Sequence, residues 1–217
     1  MATAQTIIDS ARYDLVDFKD GTGVGIEFDD TELLNYLNRV VGLMDTSLSA
    51  LQSDLVEAKE EGINTVDSQA YVDITTALNS GLWHRLRSVW IGSTRLEQRS
   101  VDYIRYTSMF RSGNAVPTMW ALSNNYILFP QGCDGALTTL VIFYDKKSAV
   151  LTLSSNMPYN DRFNEFFREM MVLAAKAKKE GLIDPADRLF TEMFRSRAMQ
   201  EEIARGFIPK PYMYWGF

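Results

Sequence analysis

An apolar stripe between residues 33 and 55 constrains the fold more than any other feature of this sequence. Its members recur at steps of three and four residues, which places them on one face of a helix: Leu33, Leu37, Val40, Met44, Leu48, Leu51 and Leu55. Asp29 and Glu32 precede the stripe with the spacing of a capping box. The charged run EAKEEG follows it, and Gly62 is a typical helix stop. The pattern predicts a helix of roughly 30 residues, about 45 Å long, that packs against other helices along most of its length.

Three further helices are predicted around this one. The first spans residues 3–16 and has a short apolar face. The second runs from Asn160, its expected cap, to Gly181, and the last runs from Asp184 to Gly206. Because each has one apolar face, we expect the four helices to pack together.

The centre of the chain has the composition of a β-sheet. Three segments rich in aromatic and β-branched residues follow one another, with the sequences MWALS, YILFP and LTTLVIFYD. Asn124-Asn125 and the run QGCDGA separate them as tight turns, so neighbouring strands are expected to run antiparallel. Residues 100–110 fit either a short helix or a loop.

These elements predict an α+β fold. It consists of a helical bundle of about four helices with an inserted antiparallel β-meander and an extended C-terminal arm. Residues 1–67 and 156–206 form the helical body of this prediction, residues 68–155 form the β insertion, and residues 207–217 form the arm.

The C-terminal arm is predicted to be an interface. It follows Gly206 in the sequence GFIPKPYMYWGF. Two closely spaced prolines forbid a regular helix and favour an extended strand. Large apolar groups on such a strand are costly to leave in water, so the arm is expected to dock, either on its own domain or on another chain. Tyrosine and tryptophan are enriched as interface anchors, which favours the second reading. The predicted interface residues are Phe207, Ile208, Pro209, Pro211, Tyr212, Tyr214, Trp215 and Phe217.

Charge and cysteine content narrow the class of protein. The formal net charge is −6, whereas a general binder of nucleic acid or anionic membrane carries a basic surplus. Cys133 is the one cysteine, so an internal disulfide is excluded and a reducing compartment is expected. No apolar run approaches the ~20 residues of a membrane helix, and the first residues do not form a signal peptide. We therefore expect a soluble protein made in a cytoplasm.

The residues with catalytic or ligating potential do not form a recognisable site. His84 is the one histidine, so an ordinary zinc site of cysteines and histidines is not expected. The glycine-rich run at 21–25 meets neither phosphate-binding fingerprint and is better explained as a loop between helices. Cys133 lacks the neighbouring base of a nucleophile. The sequence therefore predicts no enzyme activity, no cofactor and no metal.

A series of short sequence patterns runs along most of residues 5 to 180, at Ala11, Arg12, Leu15, Asp17, Leu33, Leu34, Leu37, Asn38, Pro117, Trp120, Ala121, Leu122, Pro130, Tyr144 and Pro158. In these patterns the chain resembles the head–tail adaptor (connector, head-completion) proteins of tailed bacteriophages. In that family a short helix ends in an Ala-Arg…Leu…Asp pattern, and a capped helix carries Leu-Leu…Leu-Asn. A β region then contains a proline, an aromatic-Ala-Leu triplet, a strand ending in proline, and a strand ending in tyrosine. The last helix and the aromatic arm depart from the shortest family members.

The resemblance implies a non-enzymatic virion structural protein. Such adaptors form a homo-oligomeric ring, a dodecamer by this resemblance, beneath the portal at the capsid vertex. They contact the portal protein and tail or nozzle proteins, and DNA passes through the ring without specific binding. The protein would be made in the host cytoplasm and reside in the neck of the virion. The acidic balance suits a channel along which DNA slides, because basic linings hold phosphates tightly.

Two other readings of the sequence stay open. The chain could be a different neck or tail-completion protein of a phage, since its composition would be the same. It could also be a soluble enzyme or regulator without a recognisable active site.

Overall fold

Two structural units divide the chain. The computed structural model describes residues 1–16, 27–78, 82–134 and 139–180. One unit, here called the helical unit, joins Met1–Ser53 to the segment that begins at Ser148, and the other, the β unit, spans Asp54–Lys147. The chain therefore leaves the helical unit once and returns to it once, with crossings after Ser53 and Lys147, whereas the predicted boundaries lie after residues 67 and 155.

Three helices build the described part of the helical unit. They are α1 (Ala4–Leu15), α2 (Asp30–Ala50) and α5 (Asn164–Glu180), and a 3-10 turn at Asp161–Phe163 leads into α5. Each buries the apolar face that its sequence periodicity predicts, and the three helices contact one another. The predicted helix from Asp184 to Gly206 lies outside the described residues.

Two of the three cap residues at the starts of these helical segments make a capping hydrogen bond, and the third does not. Asp29 caps α2 as predicted, because its carboxylate accepts a hydrogen bond from the Glu32 backbone N–H at 2.6 Å. Thr3 caps α1 in the same way through the Thr6 backbone N–H at 3.3 Å. Asn160 occupies the predicted cap position before the 3-10 turn, but its side chain makes no capping hydrogen bond.

Buried polar groups tie the returning chain to α2. The Asp45 carboxylate accepts hydrogen bonds from the Ser148 backbone N–H at 2.8 Å, from the Ser148 hydroxyl and from the Tyr159 hydroxyl. Asn38 exchanges two hydrogen bonds with the backbone of Leu151, at 2.7 and 3.1 Å. Since a buried carboxylate or amide is costly without partners, these contacts fix where residues 148–159 lie on the helix.

The long helix predicted from the apolar stripe is wrong in its last third. α2 ends at Ala50, and Gln52 adopts a left-handed conformation with φ of 56°. Residues 57–64, the charged run expected to end the helix, instead form strand β1 (Glu57–Asn64). Glutamate, lysine and alanine favour helices locally, but long-range pairing overrides such preferences. Arg87 supports that pairing by binding the Glu57 carboxylate at 2.5 Å.

Gly62 therefore has a different role from the predicted helix stop. It lies in β1 with φ of 75°, between Glu60 and Ile63, where the register of pairing shifts. Glycine adopts this left-handed conformation at little cost, which is what a β-bulge requires.

The β unit contains one larger antiparallel sheet. Its strand order is β1, β10 (Thr139–Lys146), β3 (Trp83–Ile91) and β4 (Thr94–Arg95). Alternate residues of β10 are buried, among them Leu140, Ile142 and Tyr144. They join a single apolar core that also contains Trp120 from the second sheet.

The second sheet is mixed and built from short strands. Its order is β2 (Tyr71–Asp73), β8 (Tyr126–Leu128), β7 (Met119–Ser123) and β5 (Glu97–Gln98), with β5 parallel to β7. A separate parallel pair joins β6 (Asn114–Ala115) to β9 (Gly132–Cys133). Two helices interrupt the strands: the single turn α3 (Ile74–Ala77) and the two-turn α4 (Val101–Ser108).

The predicted fold class is therefore wrong, although the structure is α+β. A helical bundle with an inserted meander does not describe it, because the described residues contain ten strands in antiparallel and mixed sheets. The hairpin of β7 and β8 around Asn124-Asn125 is confirmed. The meander fails at the next strand, since β10 pairs with β1 and β3 and not with β8. The predicted C-terminal arm lies outside the described residues.

Candidate protein-binding surface

Helix α4 is held to the β unit by very little of its own surface. It begins after Ser100, whose hydroxyl accepts a hydrogen bond from the Tyr103 backbone N–H at 3.2 Å. Ile104 is its one buried residue, and the helix contacts β7. A helix this short is not stable by itself in water, so its position depends on that contact and on its cap.

The rest of α4 and the residues that follow it expose large apolar side chains. The exposed fractions are 44% for Tyr103, 63% for Tyr106, 78% for Met109 and 73% for Phe110. We call these four residues the α4 face. The Tyr106 and Phe110 rings lie edge to face with their centroids 5.1 Å apart. Contiguous apolar surface of this kind marks interaction sites in soluble proteins, because isolated exposed side chains are common but clusters are not.

Arginines accompany the α4 face. The Arg99 guanidinium lies 5.1 Å from the centre of the Tyr103 ring and also pairs with Glu97. Arg105 and Arg111 are exposed, and neither forms an ion pair with any residue in the described part of the chain. Tyrosine, methionine, phenylalanine and arginine are the side chains that protein interfaces favour. The α4 face therefore has the composition of a protein-binding surface with a positive margin.

The helical unit exposes a second apolar patch, at the C-terminal end of α1. Tyr13 and Val16 are each 72% exposed, and we call them, together with Asp14, the α1 end. Val16 ends the helix in a left-handed conformation with φ of 57°. Asp14 forms an ion pair with Arg168 of α5 at 3.1 Å.

A groove runs beside the α1 end. It has a volume of about 540 Å³. Its lining combines apolar and charged side chains: Asp14, Arg168, Glu169, Met170, Val172, Leu173 and Lys176. We refer to it as the α1–α5 groove, and its mixed lining suits a partner that carries both apolar and charged groups.

A second exposed aromatic pair differs from these two surfaces. Tyr71 of β2 and Tyr126 of β8 lie edge to face with their centroids 5.5 Å apart. Their own strands are paired with each other, so the two rings are cross-strand neighbours that stabilise the sheet. They provide a matched control for the aromatic pair of α4.

The reactive and charged groups in the interior have structural partners. Burial raises the pKa of the Cys133 thiol to about 11, so the thiol is neutral at physiological pH. The fully buried Asp145 carboxylate binds Arg87 and lies 3.4 Å from Arg85. Within the described ranges there is no cluster of three or more side chains that could hold a metal ion.

Only some of the residues singled out in the sequence lie in the part of the chain that the structure describes. All eight predicted interface residues between Phe207 and Phe217 lie outside the described residues, as does the glycine-rich run at 21–25. Two polar positions of the adaptor pattern have clear structural roles. Arg12 is buried and binds Asp30 at 2.6 Å, and Asn38 holds Leu151.

Sequence reasoning missed the α4 face. The sequence predicts a short helix or a loop at residues 100–110, whereas the structure has helix α4 there. The available signal was the spacing of Tyr103, Tyr106 and Phe110, which matches the i, i+3, i+7 anchors of a helix that binds in a groove.

Comparison with known proteins does not assign the chain to a family. No family model matches it, and no curated protein matches it significantly. None of the helices in the described part is long and apolar enough to cross a membrane.

Proposed function

We propose that this chain is a non-enzymatic structural protein of a phage virion. In this proposal it is a ring-forming adaptor in the neck, where it joins the capsid portal to the tail around the DNA channel. Its partners would be further copies of itself, the portal protein, and tail or nozzle proteins, with DNA passing through unbound.

The α4 face is the observation that carries the proposal. Four large apolar side chains lie exposed on and just after a helix that buries Ile104 alone. Burial of their exposed parts in an interface would be favourable, by about 25 cal/mol for each Å² of apolar surface removed from water. A structural subunit that must hold neighbouring chains has a use for such a surface.

The resemblance to the adaptor family supports the specific role. Its motif residues Arg12 and Asn38 anchor the start of α2 and the returning chain, respectively. A part that transmits force between capsid and tail benefits from such cross-links within its body, because they resist local opening.

The direct test is reconstitution with the portal protein of the same phage genome. We expect negative-stain images to show the chain as an added layer on one face of the portal ring, and we expect it to co-sediment with the ring. A portal from an unrelated phage serves as the control. An unchanged portal ring would contradict the proposal, and binding to isolated tails without binding to portals would favour a tail-completion role.

A further inference from the structure

We infer that the α4 face of one copy packs against the α1 end and the α1–α5 groove of a second copy. This inference rests on the ring-forming part of the proposed function and names the contact that would build the ring. Because the two surfaces are different and lie in different units of the chain, the contact is heterologous. Heterologous contacts generate closed rings when their rotation closes.

Charge complementarity favours a second copy as the occupant. Residues 95–116, which contain α4, carry four arginines and two acidic residues, for a net charge of +2. The described residues of the helical unit, 1–16, 27–53 and 148–180, carry eleven acidic and seven basic residues, for a net charge of −4. Opposite potentials steer encounter and fix the register of two surfaces, and they oppose contact of either surface with itself.

The individual charged groups fit the same pairing. Arg105 and Arg111 are exposed beside the α4 face, and Asp14 and Glu169 line the groove. Arg168 and Lys176 also line it, so the groove itself is close to neutral. The electrostatic attraction would therefore come from the net negative charge of the helical unit as a whole, while the groove supplies apolar lining.

The apolar groups match in kind. Tyr106 and Phe110 are four residues apart and already in edge-to-face contact, so they present a preformed anchor pair. Tyr13 and Val16 offer exposed apolar area beside a groove with Met170 and Leu173 in its lining. Exposed aromatic and arginine side chains also suit single-stranded nucleic acid. The exposed apolar residues Met109 and Phe110 and the net negative charge of the helical unit favour a protein partner that the chain itself supplies.

Disulfide trapping tests the contact directly. We would prepare Phe110→Cys, Val16→Cys and the double variant, and oxidise each under mild conditions. The buried Cys133 serves as an internal control, since the wild-type chain is expected to stay uncrosslinked. The double variant should give a ladder of linked chains, and an equimolar mixture of the two single variants should give only dimers. No ladder, or a disulfide confined to one chain, would overturn the inference.

Complementation tests the two surfaces by function. Tyr106→Ala/Phe110→Ala and Tyr13→Ala/Val16→Asp should each weaken self-association at least tenfold in sedimentation, because each removes interface anchors. Mixed together, they should form a one-to-one pair, since each keeps one intact surface. The control Tyr71→Ala/Tyr126→Ala should self-associate like the wild type, and circular dichroism should confirm that every variant is folded.

Other outcomes would contradict the inference. The first is a wild-type chain that stays monomeric at the highest soluble concentration. The second is a Tyr106→Ala/Phe110→Ala variant that self-associates like the wild type. The third is a variant of this kind that loses only the ability to bind single-stranded DNA. Portal binding by a chain without this contact would leave the proposed function intact and refute the inference. Self-association through this contact without portal binding would support the inference and refute the proposed function.

Discussion

At the scale of single residues, the two units depend on a few buried or well-paired carboxylates. Asp45 and Asp145 are each almost fully buried, and each has several donors around it. Asp73 is different, since it caps α3 from a half-buried position. The two kinds of carboxylate lead to different predictions.

Replacement of Asp45 by alanine should lower the free energy of unfolding by about 3 kcal/mol. The substitution leaves the Ser148 N–H and the Tyr159 hydroxyl without their acceptor in a buried setting. Urea denaturation followed by circular dichroism measures the change. Asp54→Ala is the matched control, because Asp54 is 90% exposed and should change stability by less than about 0.5 kcal/mol. Equal effects of the two substitutions would show that the Asp45 contacts do not hold the return segment.

The Asp73 carboxylate should make stability depend on pH in the acid range. Hydrogen bonds from the Thr75 hydroxyl and backbone N–H lower the pKa of Asp73 below its ordinary value. A lowered pKa in the folded state means that the contribution is present above the pKa of the unfolded chain, about 3.9, and is lost as pH falls through the folded pKa. Wild type should therefore exceed Asp73→Asn in stability at pH 7, and the difference should disappear as the pH falls through the lowered pKa of Asp73 in the folded state. A difference that does not change with pH would exclude the charge as its cause.

At the scale of secondary-structure elements, one glycine in helix α2 and one in strand β1 have different conformations. Gly42 lies inside α2 with nothing within 4 Å of the position that a Cβ would take. Gly62 lies at the β1 bulge, where its φ of 75° disfavours any side chain. The same substitution should therefore have opposite effects at the two positions.

Gly42→Ala should stabilise the protein by about 0.5–1 kcal/mol, because alanine favours the helix and restricts the unfolded chain. Gly62→Ala should destabilise it by about 1 kcal/mol, because a left-handed conformation strains a residue with a Cβ. Thermal and urea unfolding of the two variants side by side measure both changes. Stabilisation by Gly62→Ala would argue against a strand with a bulge at this position and in favour of the helix.

At the scale of the whole molecule, the chain places charge and apolar surface unevenly. The positive stretch around α4 belongs to the β unit, whereas the described residues of the helical unit carry a net negative charge. The proposed self-association uses the α4 face and the α1 end, whereas the C-terminal arm is predicted to dock separately.

Deletion of residues 207–217 should leave the helical circular-dichroism signal and the melting temperature nearly unchanged. The arm is predicted to dock on another subunit or on the portal, so its removal should instead abolish co-sedimentation with portal rings or ring formation itself. The deletion begins at Phe207, so it removes nothing from the helix predicted between Asp184 and Gly206. Unfolding or aggregation of the truncated chain as a monomer would show that the arm belongs to its own core.

The sequence by itself determined the elements that short-range interactions specify. The apolar periodicity of α1, the Asp29 cap of α2 and the turn at Asn124-Asn125 involve residues within a few positions of one another. The tertiary structure decided the rest. β1 is a strand because β10, about 80 residues later, offers it a hydrogen-bonded edge, and no local pattern in EAKEEGIN records that partner.

The candidate site, too, is specified partly by local sequence and partly by tertiary packing. The sequence of α4 contains the spacing of Tyr103, Tyr106 and Phe110, but spacing alone does not tell a buried face from an exposed one. Packing of Ile104 toward β7 leaves the opposite side of the helix in water, and this orientation depends on a strand that begins 15 residues later at Met119. Exposure is a property of three-dimensional packing, so only the tertiary structure could identify the α4 face.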